Sequence, residues 1–378
     1  MILRSAAMIV LGALGLAQLV QAEPFREITF NPPGATGDFG NPANWSDPSA
    51  VPPVNPPLAP IAGYGNTWYH INNFKTAEIN AGSSFGSHFS MWHLFPGDSP
   101  HFNAAGTAPS GIPPSMGRLV MNGGAPPAPG EFGATLTVLG TNRLILGQRA
   151  TAHVGGFPGH EMDPSTGDGE LIMNGASDLL ADGIVVGERD RGYMLIGPDA
   201  RVRCGRLNDE GILSRQDFRI GSFGPSRGET ENPPVAIDGN GLVVVQGSLT
   251  FHNLYMSASG ATGELRLEGG NINARGLILD NEPTRASRQA KVSIVGSDGS
   301  FTLTAGDLSA SHSSITFSYK TDATGVVPIT TPAGAIIDGA KLELDLDDLQ
   351  FDPTTTVTLI DAAPLFLAGE FSSVAFLG

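Results

Sequence analysis

One cysteine in 378 residues, Cys204, excludes an intramolecular disulfide framework. Stability must then come from packing and backbone pairing, which a chain of this length can supply. Bases are scarce as well: 21 Lys and Arg face 37 Asp and Glu, giving a formal net charge of −16 at pH 7. With no basic run to offset that sign, the chain repels nucleic acid and anionic lipid, and neither is an expected partner. After the first two dozen residues no apolar run reaches the length of about 20 residues that a membrane helix needs. Helical periodicity sustained over a dozen residues is missing after residue 22, which argues against a helical fold class.

The opening is different. Met1-Ile2-Leu3-Arg4 is followed by an apolar stretch from Ala6 to Val20 and by Val20-Gln21-Ala22 ahead of Glu23-Pro24. One positive charge, a short apolar segment and small residues at a cut site predict a secretory signal peptide over residues 1–22, cleaved after Ala22. Removing it takes away Arg4, its one charged residue, and moves the formal charge from −16 to −17. The expected location is outside the cell or at its surface, with no transmembrane segment after cleavage.

What is abundant is glycine and proline, 50 and 29 residues. They punctuate runs of alternating apolar residues, so the chain reads as all-β and not as low complexity. Two stretches repeat. Residues 169–187 read GELIMNGASDLLADGIVVG and residues 263–280 read GELRLEGGNINARGLILD, which align with one residue inserted. Each unit holds about three short strands and three corners. Looser copies begin at Gly117, Gly133, Gly192, Gly241 and Lys291, and the steps Gly169 to Gly192 and Gly241 to Gly263 fall in the low twenties, a period that implies a solenoid. Leucine-rich repeats would need a fixed Leu and Asn spacing, and propeller blades about 40 residues. The expected fold is a parallel β-helix, right-handed by the commoner choice, with irregular β caps at both ends. Residues 23–114 read as an aromatic-rich N-terminal cap, 115–311 as eight or nine coils, and 312–378 as C-terminal strands that form the opposite cap or pack antiparallel on the last coils.

Several stretches resemble a known family. Gly40-Asn41-Pro42-Ala43-Asn44-Trp45-Ser46, Val51-Pro52-Pro53 and Thr76-Ala77-Glu78-Ile79-Asn80 resemble the opening of exported planctomycete-type proteins with autotransporter-passenger-like β-strand repeats. Gly169–Gly175, Val357-Thr358-Leu359-Ile360-Asp361 and Leu367 to Ser372 resemble their coils and tails. The resemblance implies an exported parallel β-helix for surface display. Extracellular polysaccharide or envelope components are the expected partners. The C-terminal membrane barrel of autotransporters has no counterpart in this sequence.

No residue set is assigned a catalytic role. Polysaccharide lyases and glycosidases on a β-helix need converging carboxylates, and Asp182 with Asp209, or Asp280 with Asp307, are one period apart. Asp is also a favoured corner residue, which explains those positions without chemistry. His88, His93, Asp98 and His101 carry zinc-type donors at a spacing that matches no zinc motif. Asp163, Asp168 and Glu170 are the calcium candidates, but they lack the regular acidic ladder of a calcium loop. Cys204, flanked by Arg201, Arg203 and Arg206, alternates with them as a core residue would. Trp68, Tyr69 and Trp92 are the candidate ligand-binding aromatics, able to stack on sugar faces, while Trp45 is expected in the core of the N-terminal region. The expected function is a structural or adhesive surface protein, with a carbohydrate-binding protein and a β-helix polysaccharide lyase or glycosidase as the alternatives.

Overall fold

The computed structural model describes residues 26–46, 67–71, 74–85, 91–96, 115–146, 167–187, 191–205, 217–221, 240–256, 262–279, 289–304, 308–310, 315–332, 334–346, 356–362 and 367–377. Within them the chain is a parallel β-helix. Strands of an 11-stranded sheet and a 17-stranded sheet alternate along the chain, and nearly every pairing is parallel. The strand Gly167–Asn174 pairs on one side with Ser115–Asn122 and on the other with Arg191–Ile196. Registers then continue through Asn240–Val245, Thr262–Glu268, Gln289–Val295, Ile315–Lys320 and Lys341–Asp345 to Ser373–Leu377.

The repeat glycines set this register. Gly117, Gly169, Gly192, Gly241 and Gly263 lie side by side on five successive coils. Alternation then carries Leu119, Leu171, Met194, Val243, Leu265, Val292, Phe317 and Leu342 into one inward column, all buried. A slip of one residue would turn the whole column to solvent, so burial pins the pairing. The strands of the larger sheet bend midway. Asn271–Leu279 pairs through Asn271–Ala274 with Ser300–Leu303 and through Leu277–Leu279 with Leu308–Ala310, which gives each coil its three sides.

Among the described residues six strands of the smaller sheet fall between residues 115 and 310, fewer than the eight or nine coils expected. Gly133 to Gly147 is not a separate coil: Ala134–Leu146 is the far side of the coil that begins at Ser115. The ladders also run past both expected boundaries. Lys75–Asn80 pairs in register with Gly117–Asn122, and Thr36–Asp38 with Thr76–Glu78. At the other end the strands after residue 312 pair parallel, and not antiparallel, with the coil before them. At the strand spacing of about 4.8 Å, eleven strands of the smaller sheet span roughly 50 Å.

The first coil is closed by aromatics. Asn41 caps a 3-10 turn, Pro42–Asn44, by accepting from the Ala43 amide at 3.0 Å. The turn reverses the chain so that Trp45–Ser46 pairs antiparallel with Thr29–Phe30. The Trp45 indole donates to the Phe39 carbonyl at 2.8 Å and meets Phe30, Phe39 and Tyr69 edge to face. As expected, Trp45 belongs to the core.

Candidate functional site

In a solenoid, chemistry must come from outward columns, because inward positions are filled with apolar side chains. On the larger sheet the strand Arg201–Cys204 sends Val202 and Cys204 inward and Arg201 and Arg203 outward. Both arginines converge on Asp178 of the preceding coil, which is almost fully buried. Arg201 is bidentate to it through Nε at 2.8 Å and Nη2 at 3.1 Å, and Arg203 adds Nη2 at 2.6 Å. The Arg201 guanidinium also lies 4.2 Å above the Phe132 ring. Asp178 and Arg201 are 23 residues apart and face each other in register, so the repeat period holds the signal that finds this cluster.

Beyond it the same face becomes uncharged. Ser248, Asn271 and Ser300 continue the column of Arg201, and Thr250, Asn273, Thr302 and Thr330 that of Arg203, up to Asp361. The Ser300 hydroxyl donates to the Asn271 side-chain carbonyl at 2.9 Å. Beside these columns, at the bend, the buried His252 accepts through Nε2 from Arg275 Nη1 at 2.9 Å, since a guanidinium can only donate.

The smaller sheet carries charges in pairs. Arg118 bridges to Glu170, Arg266 to Glu264 and Glu268, Lys291 to Glu343, and Lys320 to Asp345. Tyr193, in the same column as Glu170, has its hydroxyl pKa raised by desolvation first and then by Glu268 and Glu170. At a corner near the C-terminal end, Asp322 accepts from the Ser297 and Thr324 hydroxyls and from the Ser297, Thr324 and Gly325 amides. Those bonds, Thr324's hydroxyl foremost, hold its carboxyl well below the usual carboxylate range. On Ile315–Lys320, two strands below the last of the smaller sheet, burial pushes the Tyr319 hydroxyl far up; it donates to the Leu359 carbonyl at 2.9 Å.

The candidate residues from the sequence fare differently. Tyr69 is a correction: only 1% exposed and packed on Trp45, its ring belongs to the interior and not to a surface that stacks on sugars. Trp68 and Trp92 lie on the strands Thr67–Ile71 and Met91–Pro96, with side chains outside the described residues. Of the calcium candidates, Glu170 is engaged by Arg118, Asp168 lies on Gly167–Asn174 with its side chain outside the described residues, and Asp163 lies outside them altogether. Asp182 is fully buried at a bulge between Ala181 and Gly183, while Asp209, Asp280 and Asp307 lie outside the described residues. So do His88, Asp98 and His101, and the His93 side chain. Among the described residues no three His, Cys, Asp or Glu side chains are grouped to hold a metal. No helix there is long and apolar enough to cross a membrane. Comparison with protein-family models, with curated proteins and with solved structures found no match.

Proposed function

We propose that this is an exported, non-catalytic β-solenoid acting as a structural or adhesive rod at a bacterial surface or in the extracellular matrix, related to the planctomycete-type repeat proteins that its motifs resemble. The observation that carries the reading is the outward face of the larger sheet. Over successive coils it presents Ser248, Thr250, Asn271, Asn273, Ser300, Thr302 and Thr330, an uncharged row of hydroxyls and amides. Side chains of this kind offer hydrogen bonds to a polyhydroxylated surface but no acid of raised pKa and no activated nucleophile. Glu170, Glu343 and Asp345 on the neighbouring face are held in ion pairs between coils, a role in surface cohesion.

The same row favours a second reading, binding of neutral glycans. A glycan array followed by turnover assays on neutral and acidic polysaccharides separates the possibilities. The rod reading expects retention on surfaces or glycans without release of reducing or unsaturated ends. Turnover by the purified chain would sink it. Binding lost on Thr250→Ala with Asn273→Ala assigns glycan capture to this face. Binding lost on Trp68→Ala or Trp92→Ala assigns it to the aromatics instead.

A further inference from the structure

The two sheets match their bases with acids to different degrees. On the smaller sheet Arg118, Arg266, Lys291 and Lys320 each meet a carboxylate. On the larger sheet Arg201 and Arg203 share one, Asp178, so the three side chains carry one net positive charge. Two coils further on, Arg275 donates to the neutral His252 ring, and among the described residues no carboxylate pairs with it. The outward positions between these cations are uncharged. Arg203, Thr250, Asn273 and Thr302 follow one another in one column, and Arg275 stands two residues beyond Asn273 on its strand. Asn271, Asn273 and Arg275 are exposed. Asp182, an acid near the bend, is fully buried and three coils from Arg275. The coils of Arg203 and Arg275 are two steps apart along the stack, roughly 10 Å at the strand spacing. A pyranose in an extended glycan advances by about one such step, so sugars laid along the column meet one coil each, and the two guanidinium groups fall on alternate sugars.

We propose, resting on the glycan reading of this face, that its ligand is an extended acidic glycan lying along the stack. One uronic acid carboxylate sits on Arg275 and another, two sugars away, on Arg203, with neutral sugar hydroxyls on Thr250 and Asn273. Among the described residues the Nε and Nη2 of Arg275 are left as a planar fork, which donates two parallel bonds to a carboxylate. At Arg203 Nη2 is taken by Asp178, and Nη1 is left for the ligand. Thr250 and Asn273 supply both donors and acceptors, as sugar hydroxyls need. The formal charge of the whole chain, −16, works against any polyanion. At physiological salt that repulsion is screened beyond about 8 Å, whereas the arginines touch the ligand. A glycan with an acid on alternate sugars therefore fits better than one with an acid on every sugar, which adds repulsion without adding partners.

Calorimetric titration of the full chain with three oligosaccharides of equal length tests this: alternating glucuronate and N-acetylglucosamine, polygalacturonate, and N-acetylglucosamine alone. The alternating oligosaccharide should bind about fivefold more tightly than the other two, the scale of one solvent-exposed ion pair. Its preference over the neutral one should vanish in about 1 M salt, where the screening length falls to about 3 Å. Arg275→Gln should abolish the same preference and leave the affinity for the neutral oligosaccharide unchanged. Arg275→Lys, which keeps the charge without the fork, should fall between Arg275→Gln and the parent chain. Thr250→Ala with Asn273→Ala should weaken binding of all three, while Lys341→Gln, at an exposed base on the smaller sheet, should change none. Far-UV circular dichroism checks that each variant is folded. Equal affinity for the neutral and alternating oligosaccharides, tighter binding of polygalacturonate, or a preference that survives Arg275→Gln would each overturn the proposal and leave glycan capture by this face standing. Absence of binding to all three would overturn both.

Discussion

Cys204 and its neighbours Arg201 and Arg203 share one four-residue strand yet meet opposite surroundings. Alternation sends the thiol into the core and both guanidinium groups onto Asp178. That much was legible in the sequence, because Val202 and Cys204 alternate with the arginines. The same rule applied to Trp68-Tyr69-His70 shows that the run could not serve as one patch, and Tyr69 is the member whose interior place the structure establishes. Asp322 was not legible, since its five donors come from a corner of its own and from Ser297 on the coil before. All five are stronger to the ionised carboxylate than to the neutral acid, so the folded state holds its proton less tightly than the unfolded chain does. The linked stability is therefore complete above the unfolded carboxylate value of about 4 and is lost as pH falls below it towards the depressed folded value. In urea melts between pH 2.5 and 6, Asp322→Asn should be less stable than the parent chain at pH 6, with the gap closing as the pH drops. A gap that stays constant with pH would mean that the donors do not depend on the charge.

Among the elements, the coil corners show how backbone conformation and close approach act together. Gly187 has φ +74°, and a Cβ there would come within 2.4 Å of the Asn240 carbonyl on the next coil. Gly82 has φ +87° but nothing within 4 Å of such a Cβ. Alanine at Gly82 meets only the left-handed penalty, about 1 kcal/mol, while Gly187→Ala adds the clash with a neighbouring backbone and should cost about 3 kcal/mol or more. Denaturation midpoints of the two variants check this, and equal losses would show that the corner relaxes freely. These glycines also explain which coils could be read from the sequence. Where one coil follows the next by 22 or 23 residues, as at Gly169 to Gly192 and Gly241 to Gly263, the predicted register is the observed one. Between Gly117 and Gly169, and between Gly192 and Gly241, partners are adjacent in space but about 50 residues apart, because inserted segments share the coil. Insertions hide a period without disturbing a ladder, so the coil count was too high and the ends of the helix were placed too far inward. The Ser, Thr and Asn face stayed hidden for the same reason, since it emerges only once the true neighbours are stacked.

On the scale of the whole molecule, a solenoid is a one-dimensional stack in which each coil contacts only its neighbours. Its local stability should then follow position along the stack and not distance along the chain. Interior coils such as Asn240–Val245 and Thr262–Glu268 are paired on both sides and bury their inward columns completely. The first coil is held by the Trp45 cluster and an antiparallel pairing. Among the described residues, Ser373–Leu377 pairs on one side only, and its Val374 and Phe376 are exposed. Opening that coil alone breaks one ladder and exposes little new apolar surface, whereas opening an interior coil breaks two and uncovers the core on both sides. Native-state hydrogen exchange at low protein concentration should therefore show a gradient: fastest at the amides of Ser373–Leu377, slower at Lys341–Asp345, and slowest across Val243–Val245 and Leu265–Leu267, with Phe30 closer to the interior than to the C-terminal coil. Uniform protection along the chain would instead mean that the stack opens all at once, and that its two ends, so different in burial, are equivalent in stability.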